Sequence, residues 1–218
     1  MKRLALAATL AATLAVPAWG AGRPRTAVPA KAPVAGDSVA GQAKAEAERC
    51  VECHGPQGQG DGHTNPAVRF AKLAGQHVDY LARQLQAYRS GARRHDVMRI
   101  NAQRLEDADI RDLAAFFAAQ AAMQGDGSGE HTSAALLYRQ GDTSRGVVAC
   151  AACHGDEGRA PPTAPRLAGQ DARYLEQQLA DWRSGWRTET VAGVMNATTR
   201  ALTDAEIRAF AQYLSSRR

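Results

Sequence analysis

The sequence has almost no cysteine. Its 218 residues contain four, all within two Cys-x-x-Cys-His runs, Cys50–His54 and Cys150–His154, so once those runs are used no thiol is left for the disulfide framework that holds many small exported domains together. Long apolar stretches are also few. Apart from residues 4–16, nothing is long and apolar enough to span a bilayer, and that stretch is itself short for the purpose. No segment alternates β-branched with polar residues as a half-buried strand does, which argues against a sheet-based fold. A surplus of one charge is missing where it would matter. Five basic residues (Lys2, Arg3, Arg23, Arg25, Lys31) fall in the first 36 positions. Residues 37–124 hold eleven basic and eleven acidic side chains, and residues 131–218 hold eleven and nine. A body this close to neutral has no electrostatic footprint for nucleic acid.

What is present begins with an export signal. Lys2 and Arg3 give a basic start, residues 4–16 an apolar core, and Pro17 to Ala21 a small-residue exit, so residues 1–20 read as a signal peptide and the periplasm as the destination. Residues 21–36, rich in Ala and Pro, cannot form a packed core and read as a linker, compatible with peripheral association with the membrane.

The body is a duplication. Cys50-Val51-Glu52-Cys53-His54-Gly55 recurs as Cys150-Ala151-Ala152-Cys153-His154-Gly155. Leu73-Ala74-Gly75-Gln76 recurs as Leu167-Ala168-Gly169-Gln170, and Arg89-Ser90-Gly91 with Arg93 as Arg183-Ser184-Gly185 with Arg187. Tyr80, Leu81, Gln84 and Leu85 match Tyr174, Leu175, Gln178 and Leu179. Register shifts place six extra residues after the first cysteine motif, in the Gly-rich run 58–64, and three extra before Met195. The expected division is 37–124 and 135–218, joined through a Gly-rich connection at 125–134.

Both halves carry helical periodicity. Leu81, Leu85 and Tyr88 form one apolar stripe, repeated by Leu175, Leu179 and Trp182. Ile110, Leu113, Ala114 and Phe117 form another, repeated by Ile207, Phe210, Ala211 and Leu214. Thr203 with Glu206 is a capping box for the last helix, and Asp37 and Asp142 are expected to cap the helices that lead into the cysteines. The fold class is all-α.

Cys-x-x-Cys-His is the attachment signature of c-type haem. Residues three apart in a helical turn share a face, so two thiols can bond the two vinyl groups of one porphyrin while the adjacent histidine reaches the iron. A thioredoxin-like pair would need a βαβ context, and a zinc site would need ligands from motifs that stand a hundred residues apart. The reading is therefore two covalently bound haem c groups on Cys50, Cys53, Cys150 and Cys153, with iron ligated by His54 and His154. The sixth ligands are expected to be Met98 and Met195, which coincide in the repeat, whereas Met123 has no partner and reads as packing. His63, His77, His95 and His131 have no counterpart and read as surface residues; His95, three residues before Met98, is the alternative ligand to watch. The carbonyl that orients the proximal histidine is expected from Pro165 in the second half and from Ala71 at the matching place in the first. Tyr80, Tyr88, Tyr174 and Trp182 are expected to wall the pockets. Arg89 with Arg183, or Arg93 with Arg187, are either propionate partners or solvated surface.

These motifs, in this order over residues 36–218, resemble the cytochrome c4 family, dihaem proteins built of two class I cytochrome c domains in tandem. The resemblance implies His54/Met98 and His154/Met195 coordination and an electron carrier in a respiratory chain, passing electrons from a respiratory donor to a terminal oxidase. Ala71 departs from the proline the family favours, and single methionines after Val97 and Val194 stand where the family often has a pair. A haem subunit of a dehydrogenase, such as a flavin enzyme oxidising sulfur compounds, is the alternative. A dihaem peroxidase or thiosulfate-oxidising enzyme is disfavoured because both halves offer methionine to close the iron. The protein reads as a monomer whose two halves share a real interface.

Overall fold

The computed structural model describes residues 35–62, 70–128, 132–162, 164–190 and 193–218. The signal peptide, most of the linker, His63 and His131 lie outside the described residues. Among those described, ten α-helices carry the chain and no β-strand forms; a single bridge joins Asp142 to Val147. The all-α expectation holds.

In the first half the helices are α1 (Ser38–Ala47), α2 (Val51–His54), α3 (Val78–Ser90), α4 (Asp96–Gln103) and α5 (Asp107–Ala118). The second half has α6 (Thr132–Gln140), α7 (Ala151–His154), α8 (Ala172–Ser184), α9 (Val194–Thr199) and α10 (Asp204–Ser215). Asp37 starts α1 as expected, its carboxylate accepting the amides of Val39 and Ala40. The Thr203–Glu206 capping box opens α10, and Glu106 with Asp109 closes the same reciprocal bonds at α5. Both long helices α3 and α8 stop at a glycine, Gly91 and Gly185, in the left-handed region at φ 80° and 79°. Nothing lies near the place a Cβ would occupy at either, so conformation and not crowding selects glycine there.

The Asp142 expectation is corrected. Its side chain takes the amide of Ser144 and the guanidinium of Arg145, building a short 3-10 turn over Thr143–Arg145 instead of a helix running into the cysteines. Local side-chain bonding competes with helix propagation here. The helix that corresponds to α1 is α6, which opens at Thr132, within the stretch read as a connection.

Packing follows the apolar stripes. Helix α5 is gripped by α1 and α3, and α10 by α6 and α8, while α4 and α9 lie against α3 and α8. Ile110, Leu113, Ala114 and Phe117 are buried in one core and Ile207, Phe210, Ala211 and Leu214 in the other. The α1–α5 crossing is close: a Cβ on Gly41 would sit 2.0 Å from the carbonyl oxygen of Asp112.

The described residues form one compact unit, and the two halves meet through matched residues. The Gln76 amide donates to the carbonyl of Arg166 (2.9 Å) and accepts that residue's N–H (2.8 Å). Gln170 does the same with Lys72, at 2.9 and 2.8 Å. Each glutamine thus extends the backbone of the opposite half. Met123, fully buried, lies under this seam, its sulfur 3.6 Å from the Gln170 amide nitrogen. The amide of Gly125 bonds to Arg217 and that of Gly127 to Ser216, pinning the connection to the C-terminal end of the chain.

Candidate haem-binding sites

Each cysteine motif is one helical turn. The amides of Cys53 and His54 donate to the carbonyl of Cys50 (3.3 and 3.0 Å), and those of Cys153 and His154 to Cys150 (3.2 and 2.9 Å). This places both thiols and the histidine on one turn. All four cysteines are free of disulfides. Burial pushes the Cys50 and Cys150 thiols up to about 11, the reverse of what a thiol–disulfide catalyst needs. Among the described residues no three His, Cys, Asp or Glu side chains converge to hold a metal ion.

The two histidines are buried and oriented alike. His54 Nδ1 stands 2.8 Å from the carbonyl oxygen of Ala71, and His154 Nδ1 3.1 Å from that of Pro165. A carbonyl only accepts, so the proton sits on Nδ1 and the Nε2 lone pair is left to give. Desolvation holds both imidazoles below the usual histidine range, favouring the neutral ring that can bind iron. The bond in the first half survives the loss of proline because it needs only a carbonyl.

Met98 and Met195 occupy the first turns of α4 and α9, both half-buried. His95 is exposed and caps α4, its Nδ1 accepting the amide of Met98 at 3.3 Å. The matching segment of the second half is tied differently: Asn196, beside Met195, donates to the carbonyls of Trp182 (2.7 Å) and Arg187 (2.8 Å).

The arginines divide by role. Arg89 and Arg183 each hold the start of the last helix of their half, bonding the carbonyls of Leu105 and Leu202 and pairing with Asp107 and Asp204. Arg93 and Arg187 are not solvated surface at all: they are 5% and 6% exposed. Their guanidiniums lie over the rings of Tyr88 and Trp182, at 4.6 and 4.2 Å from the centroids, and reach across to the other half. Sequence reasoning gave no role to Gln76, Gln170, Asn196 or Glu189. The glutamines did carry a signal, since they recur in the repeat, but helical periodicity says nothing about contacts across a seam.

The donor set, two thiols on one turn with a neutral, anchored imidazole beside them, fits a covalently held haem in each half. The profile of the family described as cytochrome c matches residues 38–120 and 141–218. Cytochrome c4 of Thiocapsa roseopersicina is 40% identical over 190 residues, covering 85% of this chain and 95% of its own length. This chain belongs to the cytochrome c4 family. The crystal structure of reduced recombinant cytochrome c4 from Pseudomonas stutzeri matches with a TM-score of 0.75 at 32% identity, over 84% of this chain and 100% of that one. The thiosulfate dehydrogenase electron acceptor of Thiomonas intermedia is 35% identical over 177 residues, covering 78% of this chain and 79% of its own. As a cytochrome c4, the chain carries two covalent haem c groups and transfers electrons; it is not an enzyme. Among the described residues no helix is long and apolar enough to cross a membrane.

Proposed function

We propose that the protein is a periplasmic electron carrier in which Cys50 and Cys53 would hold one haem and Cys150 and Cys153 the other, with His54 and Met98 binding the first iron and His154 and Met195 the second. The observation that carries this reading is the matched Nδ1–carbonyl bond of His54 and His154, which leaves the same ring nitrogen free in both halves. When bound, the haems supply a one-electron Fe(III)/Fe(II) couple. The chain does the rest. The thiols would hold the porphyrin, the carbonyls of Ala71 and Pro165 fix the imidazole orientation, and the methionines would keep substrate from the iron and favour a high potential. Residues 1–20 direct export and 21–36 form a tether. The first half, 37–124, and the second, which opens with α6 at Thr132, act as a monomer between a respiratory donor and a terminal oxidase.

The test is to count haems and weigh complexes. Cys50→Ala with Cys53→Ala is expected to leave one covalent haem; two haems in that variant would remove the first motif from the assignment. A second reading, acceptor for a sulfur-compound dehydrogenase, is favoured by the likeness to the Thiomonas intermedia protein. Purification from the native periplasm separates the two: a lone chain supports the free carrier, and a stoichiometric dehydrogenase supports the second.

A further inference from the structure

The duplication gives each surface of the first half a counterpart to be compared with. Around Met98 and Met195 the two differ. Aligned on the methionines, Arg99, Ile100 and Arg104 stand where the second half has Asn196, Ala197 and Ala201; aligned on Arg93 and Arg187, Arg94 stands where it has Thr188. Helix α9 and the residues after it fold without those side chains, so the fold does not require them. Asn196 is spent inward, on the carbonyls of Trp182 and Arg187, whereas Arg99 is exposed.

Helix α4 therefore carries an outer face of its own. Val97, Ile100 and Arg104, at i, i+3 and i+7, share one stripe, and the two aliphatic residues are 54% and 61% exposed. A lone exposed aliphatic residue is ordinary. Two together, rimmed by the guanidiniums of Arg94, Arg99 and Arg104, have the make-up of a binding surface. The partners that Arg104 and Arg94 do have are neutral: Arg104 donates to the Asn101 side-chain oxygen (2.8 Å), and Arg94 lies over an indole.

That indole belongs to Trp186 of the second half. It is 56% exposed, with the Arg94 guanidinium carbon 5.0 Å from its ring centroid. The repeat partner of Trp186 is Ala92, so the tryptophan too is confined to one half. The contact crosses between the halves and holds a large exposed ring against a residue that stands two places before α4. Tryptophan and arginine are enriched where binding energy concentrates, and a ring already fixed loses little freedom on binding.

We propose that the Arg94–Trp186 pair and the outer face of α4 form the docking surface for an acidic protein, with Trp186, Val97 and Ile100 as its apolar contacts and Arg94, Arg99 and Arg104 as its charged ones. That the acidic protein is a redox partner rests on the carrier reading above. An anionic membrane fits less well, because that attraction uses clusters of about four to eight basic residues, and here Asp96 and Gln103 interrupt three. A second copy would bring the same charge to the same face. The encounter is small and brief, with charge acting on its on-rate.

The experiment titrates isotopically labelled ferrous holoprotein with a reduced, strongly acidic two-iron ferredoxin at low ionic strength, read by amide and indole N–H shifts. The shifts are expected to cluster at 94–104 and at the Trp186 indole, to spare 194–201, and to fade as salt is raised. Arg99→Gln with Arg104→Gln is expected to weaken binding roughly three- to tenfold, the reach of two exposed charge contacts. Trp186→Ala is expected to weaken it without changing its salt dependence. Arg200→Gln with Arg208→Gln removes the same charge from the exposed surface of the second half and is expected to leave the affinity unchanged. Absence of binding, shifts centred on the second half or shared evenly between the halves, or equal losses in the two double variants overturn the proposal. Shifts at 94–104 that grow with protein concentration before ferredoxin is added assign the face to a second copy and overturn it as well. The carrier reading fails separately, if native membranes do not oxidise the reduced parent protein whatever the shift map shows.

Discussion

Met123 differs in burial from the two methionines proposed as ligands. Met123 is fully buried at the seam, with the Gln170 amide against its sulfur, whereas Met98 and Met195 sit half-buried at matching helix starts. Met123→Ala is therefore expected to lower stability by about 2–4 kcal/mol through the cavity it leaves, measured by urea denaturation, with haem spectra unchanged. Met98→Ala and Met195→Ala are each expected to do the reverse: one iron per variant binds carbon monoxide and its potential falls, with a smaller effect on stability. Carbon monoxide difference spectra check this, and a Met123→Ala protein that binds the gas would reverse the assignment. The roles proposed for the cysteines, histidines and methionines rest on duplication, which supplies an internal control: a ligand has to appear twice. Glu189, buried beside Arg187, was not legible for the same reason, since a residue present in one half only gives such a control nothing to compare.

At the level of the helix, end chemistry and close crossings carry the testable content. Thr203 accepts the amide of Glu206 and is bonded in return, so Thr203→Ala is expected to cost about 1 kcal/mol. Gly41→Ala is expected to cost more, because the new Cβ meets the Asp112 carbonyl at 2.0 Å and α1 must move off α5. The caps also respond to acid. The Arg145 guanidinium, and then the Thr203 bonds, hold the Glu206 carboxyl below its ordinary range, and the Glu106 amide, followed by Lys44, does so for Asp109. A depressed folded value means that the stabilisation is complete above the unfolded carboxylate range and is lost as pH falls through the folded values. Urea midpoints at neutral pH and at about pH 3 are expected to differ less in Glu206→Gln than in the parent protein. A parent-like pH dependence in that variant would remove Glu206 from the acid response. The stripes and the Thr203 cap were readable from spacing. The turn at Asp142 was not, because the same residue type serves a helix cap and a tight turn, and the choice is made by Ser144 and Arg145 bonding back to it.

For the whole molecule, the two halves behave as one body because the seam is built of backbone-mimicking glutamines over a buried methionine, backed by buried arginines that cross between the halves. Replacing both Gln76 and Gln170 by Ala leaves four backbone groups at Lys72 and Arg166 without their partners, so the halves are expected to unfold in separate steps while each keeps its haem. The same architecture bears on function. With Met98 and Met195 on the irons as proposed, no position would be left where peroxide or thiosulfate could bind, and the nearly neutral body favours brief encounters steered by local charge. The native protein is therefore expected to exchange electrons rapidly with small mediators and with a membrane oxidase, and to turn over peroxide or thiosulfate only at background rates. Stopped-flow reduction and steady-state assays on one sample check both halves of this statement. Met98→Ala sharpens the test, because opening that iron is expected to raise peroxide turnover above background without adding any other group. Substantial turnover in the parent, surviving repurification and equal to that of the opened variant, would mean that one iron is already open and that the closed-site carrier does not describe this protein.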